Sequence, residues 1–122
     1  MDFPQRPHQA KSRTPRRFSA DGEALVARLL ERQGWTILAR NFRHVGCELD
    51  IVAQKGRSVV AVEVKTRRAN AVQVDDLLPH RKRAALTRGL TTFTQLRALD
   101  CETMRLDLAI VRPGGVAYYV NV

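Results

Sequence analysis

Three carboxylates and a lysine interrupt the most strand-like part of the sequence, the stretch GCELDIVAQKGRSVVAVEVKTRR at residues 46–68. They are set among Leu, Ile, Val and Ala, where a buried sheet is expected. The four charged residues are Glu48, Asp50, Glu63 and Lys65. Carboxylate oxygens are hard ligands that suit Mg²⁺ or Mn²⁺, and a nearby lysine can orient or help deprotonate a water, or stabilise charge that grows on phosphorus. The residue types therefore predict a divalent-metal site for phosphate chemistry.

Whether these groups meet depends on the register of a hairpin. Side chains alternate between the two faces of a strand. If the chain turns at residues 55–56 so that 54 faces 59, Asp50 lies directly opposite Glu63. Glu48 then lies opposite Lys65, whereas a register shifted by one would place Asp50 opposite a valine. We favour the first register because it collects the polar groups on one face. The other face of the second strand then carries Leu49, Ile51 and Ala53.

The facing carboxylates create a conflict that a cation would remove. Like charges opposite each other repel, and each carboxyl group resists ionisation. Glu23 extends the pattern, since it precedes Val26 by three residues and Leu30 by seven, which places it on the apolar, sheet-facing side of a predicted helix. A nearby metal with its waters would explain an acid at that position. The alternative is an ordinary ion pair between Glu48 and Lys65, with the other carboxylates facing solvent.

The predicted elements that position these groups follow the order α-β-β-β-α-β-β, a mixed α/β domain with one helix crossover. Ser19 is a plausible N-cap for the first helix, and Gly34 is a natural stop after it. The second helix begins at Pro79 or His80. The predicted ranges are helices at about 20–33 and 79–96, and strands at about 35–43, 48–53, 58–66, 104–111 and 116–122.

Composition indicates one domain with a polyanionic partner. The chain has 122 residues, with 21 Lys and Arg against 12 Asp and Glu, a formal net charge of +9. A charge of that sign and size points most often to nucleic acid. Residues 1–18 are interpreted as a disordered basic arm and residues 19–122 as the folded domain. Because no signal peptide or membrane-length apolar run is visible, we expect a cytoplasmic protein without membrane contact.

Ordered blocks of the sequence resemble a known family. ELD followed by EVK resembles the signature of the PD-(D/E)XK nuclease superfamily. GEALVARLLERQGWTILARNFR, CELDIVA, VVAVEVKTRR, Lys82 and MRLDLAIV resemble the YraN family of small bacterial proteins, which is similar to archaeal Holliday junction resolvases. The resemblance runs from about Asp21 to Val111, and departs from the family at Cys47, where glycine is usual.

The resemblance implies a restriction-endonuclease-like α-β-β-β-α-β core with a mixed sheet, followed here by an extra C-terminal strand. It implies that Asp50 and Glu63 ligate Mg²⁺ or Mn²⁺ with help from the Val64 carbonyl, and that Glu23 reaches the metal through water. Lys65 would be the catalytic lysine, acting together with the two carboxylates. The residues expected to contact nucleic acid are Glu48, Arg67, Arg68, Arg81, Lys82 and Arg88.

The favoured function is a metal-dependent endonuclease that acts on DNA phosphodiester bonds, with branched DNA among the candidate substrates and a homodimer as a candidate assembly. One alternative is a non-catalytic nucleic-acid-binding module that retains the nuclease fold. Another is a basic protein associated with RNA or the ribosome.

Overall fold

The computed structural model describes residues 15–68 and 73–122. These residues form three helices and a five-stranded sheet. In chain order the elements are α1 (Pro15–Arg32), β1 (Thr36–His44), β2 (Cys47–Lys55), β3 (Ser58–Thr66), α2 (Val74–Leu77), α3 (His80–Leu96), β4 (Thr103–Arg112) and β5 (Gly115–Tyr119).

The predicted order of elements is confirmed, with two differences at helices. Helix α1 begins at Pro15 rather than near residue 20, so that Ser19 lies inside it and residues 15–18 of the predicted arm are helical. Proline suits a first helical turn because its fixed φ is helical and its missing N–H has no partner there. The rest of the arm, residues 1–14, lies outside the described residues. The short helix α2 was not predicted.

The sheet has the strand order β1-β2-β3-β4-β5. Only the β3–β4 pair is parallel among the described strands, and α2 and α3 lie in the crossover between them. Gln54 pairs with Val59 and Ile51 with Val62, so the predicted hairpin register is confirmed. This is the mixed sheet of the expected core, with β5 as the extra C-terminal strand.

Helices cover both faces of the sheet. Phe93 and Leu90 of α3 pack on one face in a cluster that includes Val52, while Val26 of α1 packs on the other face in a cluster that includes Ile51. All five residues are almost completely buried. No helix in residues 15–68 and 73–122 is long and apolar enough to cross a membrane.

One end of the sheet gathers several chain segments, and we call it the carboxylate end. The β1–β2 hairpin closes there with His44 paired to Cys47, and the β4–β5 hairpin closes there at Arg112. Strand β3 finishes at the same end, since its last residue, Thr66, pairs with Val111 of β4. The opposite end carries the β2–β3 turn, where Lys55 pairs with Ser58. The four charged residues of β2 and β3 in the predicted site therefore lie toward this end of the sheet.

Candidate active site

Strands β2 and β3 separate at Asp50. The pairing of the two strands extends to Ile51 and Val62 and no further toward the carboxylate end. Beyond that point the backbone N–H of Val64 donates a hydrogen bond of 2.8 Å to Oδ2 of Asp50. A side-chain oxygen thus satisfies a backbone donor that loses its strand partner. This hydrogen bond holds the Asp50 carboxylate beside β3, next to Glu63.

The regular alternation of side chains breaks at the same place, and one prediction is wrong as a result. Leu49 packs in the cluster under α3, whereas Ile51 packs in the cluster under α1. The two residues were expected to share a face. On the neighbouring strand Asn41 has φ of +54°, a left-handed conformation that asparagine tolerates better than most residues. This local twist in β1, between Arg40 and Phe42, accompanies the exchange of faces in β2.

Asp50 and Glu63 form a carboxyl pair. The Glu63 side chain is buried in β3. Burial raises the pKa of Asp50 to about 7, and the charge of Glu63 and a hydrogen bond between the two carboxyls act in the same direction. The hydrogen bond from the N–H of Val64 opposes this rise. Near neutral pH Asp50 therefore remains partly protonated beside Glu63, as expected of a buried carboxyl group next to a like charge.

Two lysines contact the same oxygen of Glu63. Nζ of Lys65 lies 3.2 Å from Oε2, and Nζ of Lys82 lies 3.8 Å from it. Lys65 is largely buried, while nearly half of the Lys82 side chain is exposed. Lys65 points to the site as its spacing from Glu63 predicted. Lys82 was expected as a phosphate contact, and the structure brings it into the carboxyl pair as well.

Glu23 lies buried on the sheet-facing side of α1, in agreement with its predicted phase. Burial raises its pKa, while Arg40 and a hydrogen bond with Asn41 oppose that rise. A guanidinium nitrogen of Arg40 lies 3.8 Å from Oε1 of Glu23. Sequence reasoning missed Arg40, although a charged residue directly after the apolar run at residues 37–39 was a usable signal.

Glu48 does not lie opposite Lys65, so that prediction is wrong. Its cross-strand partner is Arg43 of β1, with Nε of Arg43 3.6 Å from Oε2 of Glu48. The cause is the separation of β2 from β3 at Asp50. Strand β2 stays paired with β1 up to the hairpin, so residues before Asp50 face β1 partners instead of β3 partners.

The donor set can be compared with the needs of a divalent cation. In the described parts of the chain no three His, Cys, Asp or Glu side chains are close enough together to hold one ion. Asp50 and Glu63 can still act as a pair of oxygen ligands, because a cation would relieve the repulsion that raises the pKa of Asp50. Mg²⁺ accepts such a site, since it often binds one or two carboxylates and keeps several waters. Glu23 would then contact the ion through a bound water rather than as a third direct ligand.

The four arginines predicted to contact nucleic acid are exposed on two elements that carry site residues. Arg67 and Arg68 follow β3 at the carboxylate end, and both are exposed. Arg81 and Arg88 are exposed on α3, and the charge of Arg88 acts on the Cys47 thiol of β2. The structure thus brings Lys65 and Lys82 to the carboxyls and leaves the four arginines free of the core.

Comparison with known proteins agrees with this architecture and adds the family. A sequence model described as "Uncharacterised protein family UPF0102" matches residues 22–111. The chain belongs to the UPF0102 family, also called YraN. A UPF0102 protein of Nitratidesulfovibrio vulgaris (strain DP4) is 43% identical over 97 residues, which cover 77% of this chain and 71% of that protein. A UPF0102 protein of Erythrobacter litoralis is 29% identical over 110 residues, which cover 90% and 94%.

In this UPF0102 protein Cys47 fills a narrow contact between β2 and α3. A Cβ placed on Gly89 would lie 2.3 Å from Sγ of Cys47, closer than any ordinary contact. The thiol also lies 3.7 Å from the carbonyl oxygen of Ala85. The absence of a side chain at Gly89 lets α3 approach β2 at this point, and the approach keeps Lys82 of the same helix near Glu63.

Proposed function

We propose that this UPF0102 protein is a divalent-metal-dependent nuclease that hydrolyses DNA phosphodiester bonds. The observation that carries the proposal is the Asp50–Glu63 carboxyl pair at the point where β2 and β3 separate, with Lys65 and Lys82 in contact with Glu63. Two carboxyl groups held side by side repel each other when ionised, and a hard cation bound between them would remove that repulsion.

Each residue near the pair has a distinct part in the proposal. Asp50 and Glu63 would hold Mg²⁺ or Mn²⁺, which neutralises phosphate charge and activates water when bound. Lys65 holds an ammonium group 3.2 Å from Glu63, where it can position a water or a phosphate oxygen beside the carboxyls. Lys82 is more exposed and approaches from α3, so it suits a non-bridging phosphate oxygen. Arg40 offsets the charge of Glu23 beside them.

The distribution of charge supports a nucleic-acid substrate. The formal net charge is +9, two lysines contact Glu63, and exposed arginines follow β3 and lie on α3. At the opposite end of the sheet Arg57 is engaged by Asp100 at 2.8 Å and by Glu102 at 3.6 Å. At that end two carboxylates thus offset the charge of Arg57. DNA is favoured over RNA by the resemblance of the ELD and EVK blocks to DNA nucleases.

The test is a cleavage screen with Mg²⁺ and with Mn²⁺ over branched, flapped, single-stranded and duplex DNA, with RNA of matching sequence beside them. We expect at least one DNA to be cut, and Lys65→Ala to lower the single-turnover rate by about 10²-fold or more. The affinity of Lys65→Ala for DNA should fall only modestly. The slope of the logarithm of the binding constant against the logarithm of salt concentration should change by about one phosphate contact.

Lys82→Ala is the matched control, since it removes the same ammonium group from the more exposed side of Glu63. It should weaken binding with a smaller effect on the rate at saturation. A wild-type protein that binds DNA and cuts nothing with either metal would instead identify a binding module that retains the nuclease fold. Equal effects of both lysine variants on the cleavage rate would contradict the separate roles given to them.

A further inference from the structure

The turn of the β1–β2 hairpin has an unexpected residue at its tip. His44 pairs with Cys47, so the loop consists of Val45 and Gly46 alone. Val45 has φ of +24° and Gly46 has φ of +71°. Two-residue hairpin loops with positive φ at both positions favour Asn, Asp or Gly at the first of them, and a β-branched residue there is strained. Valine is therefore a poor choice for forming this turn.

A second hairpin of the same sheet shows the ordinary solution. Lys55 pairs with Ser58, and the first residue of that two-residue loop is Gly56, with φ of +61°. Val45 also gains no burial that would offset its strain, since 89% of its surface is exposed, the highest value among the exposed large hydrophobic side chains of the described residues. Neither turn formation nor packing accounts for its side chain.

The surroundings of the tip are polar and include an ion pair, since Nε of Arg43 lies 3.6 Å from Oε2 of Glu48. Arg43 and His44 precede Val45 and are both exposed. His44 stacks on Phe42, with their ring planes 2° apart and their centroids separated by 6.2 Å. A shallow, open depression lined by residues 43–48 lies against the tip. A hairpin that projects one apolar side chain next to an exposed arginine and an exposed histidine matches the proteins that contact phosphates while they insert an apolar wedge at a base step.

The hairpin is held firmly and lies close to the carboxyl pair. Cys47, directly after the turn, is clamped against Gly89 of α3. Val45 and Asp50 are separated by five residues of extended chain, which span about 17 Å at most. That length corresponds to about five nucleotides of axial rise in duplex DNA.

We propose that Val45 is an apolar wedge that packs on an exposed base face at a discontinuity in duplex DNA. Arg43 and His44 contact the flanking phosphates. The inference rests on the proposed nuclease function and deepens it, because it names the substrate as duplex DNA with an interrupted base stack, such as a nick. A cut made by the carboxyl pair should then lie within about five nucleotides of the interruption.

The decisive variant is Val45→Asn in the full chain, since asparagine suits the turn and lacks the apolar surface. Its melting temperature should rise by about 2–5 °C as strain is relieved. Its affinity for a nicked duplex should fall about tenfold, while its affinity for a continuous duplex of the same sequence changes less than about twofold. The matched control is Val120→Asn, which replaces an exposed valine beyond β5, away from the carboxylate end, and should change neither affinity.

Binding is measured by fluorescence anisotropy in chelator, and base unstacking by 2-aminopurine fluorescence beside the nick. Wild type should brighten the 2-aminopurine and Val45→Asn should not. An unchanged nick preference in Val45→Asn, with cleavage intact, would overturn the wedge and leave the nuclease proposal standing. A wild-type dimer that Val45→Asn converts to a monomer would assign the tip to contact with a second copy of the chain. Wild type that neither binds nor cuts DNA would overturn both proposals.

Discussion

Replacing Asp50 with asparagine should make the metal-free protein more stable at pH 8. The pKa of Asp50 rises from 3.8 to about 7 in the folded protein. A rise of that size corresponds to at most about 4 kcal/mol of destabilisation once the group is ionised. Partial solvent access and the sharing of repulsion with Glu63 reduce the measurable part to about 1–3 kcal/mol. Asparagine is neutral and keeps an oxygen that can accept the hydrogen bond from the N–H of Val64.

The pH dependence has a definite sign. Below about pH 4 Asp50 is protonated in both the folded and unfolded states, so its ionisation costs nothing. Between about pH 4 and pH 7 the unfolded chain ionises more readily than the folded one, and the folded wild type progressively loses stability. The stability advantage of Asp50→Asn should therefore be small near pH 4, grow up to about pH 7 and remain constant above it.

The assay is urea unfolding of both proteins across this pH range, first in chelator and then with Mn²⁺ or Mg²⁺. At a metal concentration of about 100 times Kd, wild type should gain about 2.7 kcal/mol by mass action, and Asp50→Asn should gain almost none. Metal should thus reverse the order of stability at pH 8. Asp100→Asn is the control, because it makes the same chemical change at an exposed carboxylate at the other end of the sheet.

Two results would refute this reasoning. If Asp50→Asn were less stable than wild type at pH 8 in chelator, the carboxyl pair would not be a site of repulsion. If the metal-induced gain persisted in both Asp50→Asn and Glu63→Gln, the ion would bind elsewhere and the pair would be structural.

Three further predictions test the scaffold and the arm. Asp107 is fully buried and accepts hydrogen bonds from Arg105, from Tyr118 at 2.5 Å and from the N–H of Asn121. Asp107→Asn should therefore cost about 1–3 kcal/mol in urea unfolding, because the amide cannot accept all of these bonds. An unchanged free energy of unfolding would contradict this. Gly89→Ala should cost about 1–3 kcal/mol of stability, because the added methyl group would overlap with the thiol of Cys47. Adding Cys47→Ala to the same chain should recover part of that loss in a double-mutant cycle. Deleting residues 1–14, which carry three Lys and Arg residues, should lower the salt slope of DNA binding by about 2–3 and leave the melting temperature nearly unchanged, whereas a large fall in melting temperature would show that the segment packs on the domain.

Much of the fold follows from local pattern. The strand alternation around Gly56 placed the β2–β3 turn and its register, and helical spacing placed Glu23 on the buried side of α1. Gly34, with φ of +96°, ends the first helical segment as expected. These features depend on backbone periodicity and on turn residues, which neighbouring positions in the chain determine. The proximity of Asp50 and Glu63 was also predictable from local pattern, because one short hairpin joins the two strands that carry them.

The remaining features of the site depend on contacts between distant segments. Whether Glu48 faces Lys65 or Arg43 depends on where β2 separates from β3. The alternation of side chains gives no sign of that separation, so a prediction from alternation extends the β2–β3 pairing too far. The approach of Lys82 to Glu63 depends on how closely α3 packs on β2. Such distances come from packing across the crossover, where a single missing Cβ sets the separation of helix and strand. The sequence by itself therefore indicated that Asp50 and Glu63 meet. The tertiary structure decided which lysine and arginine side chains reach the carboxylates.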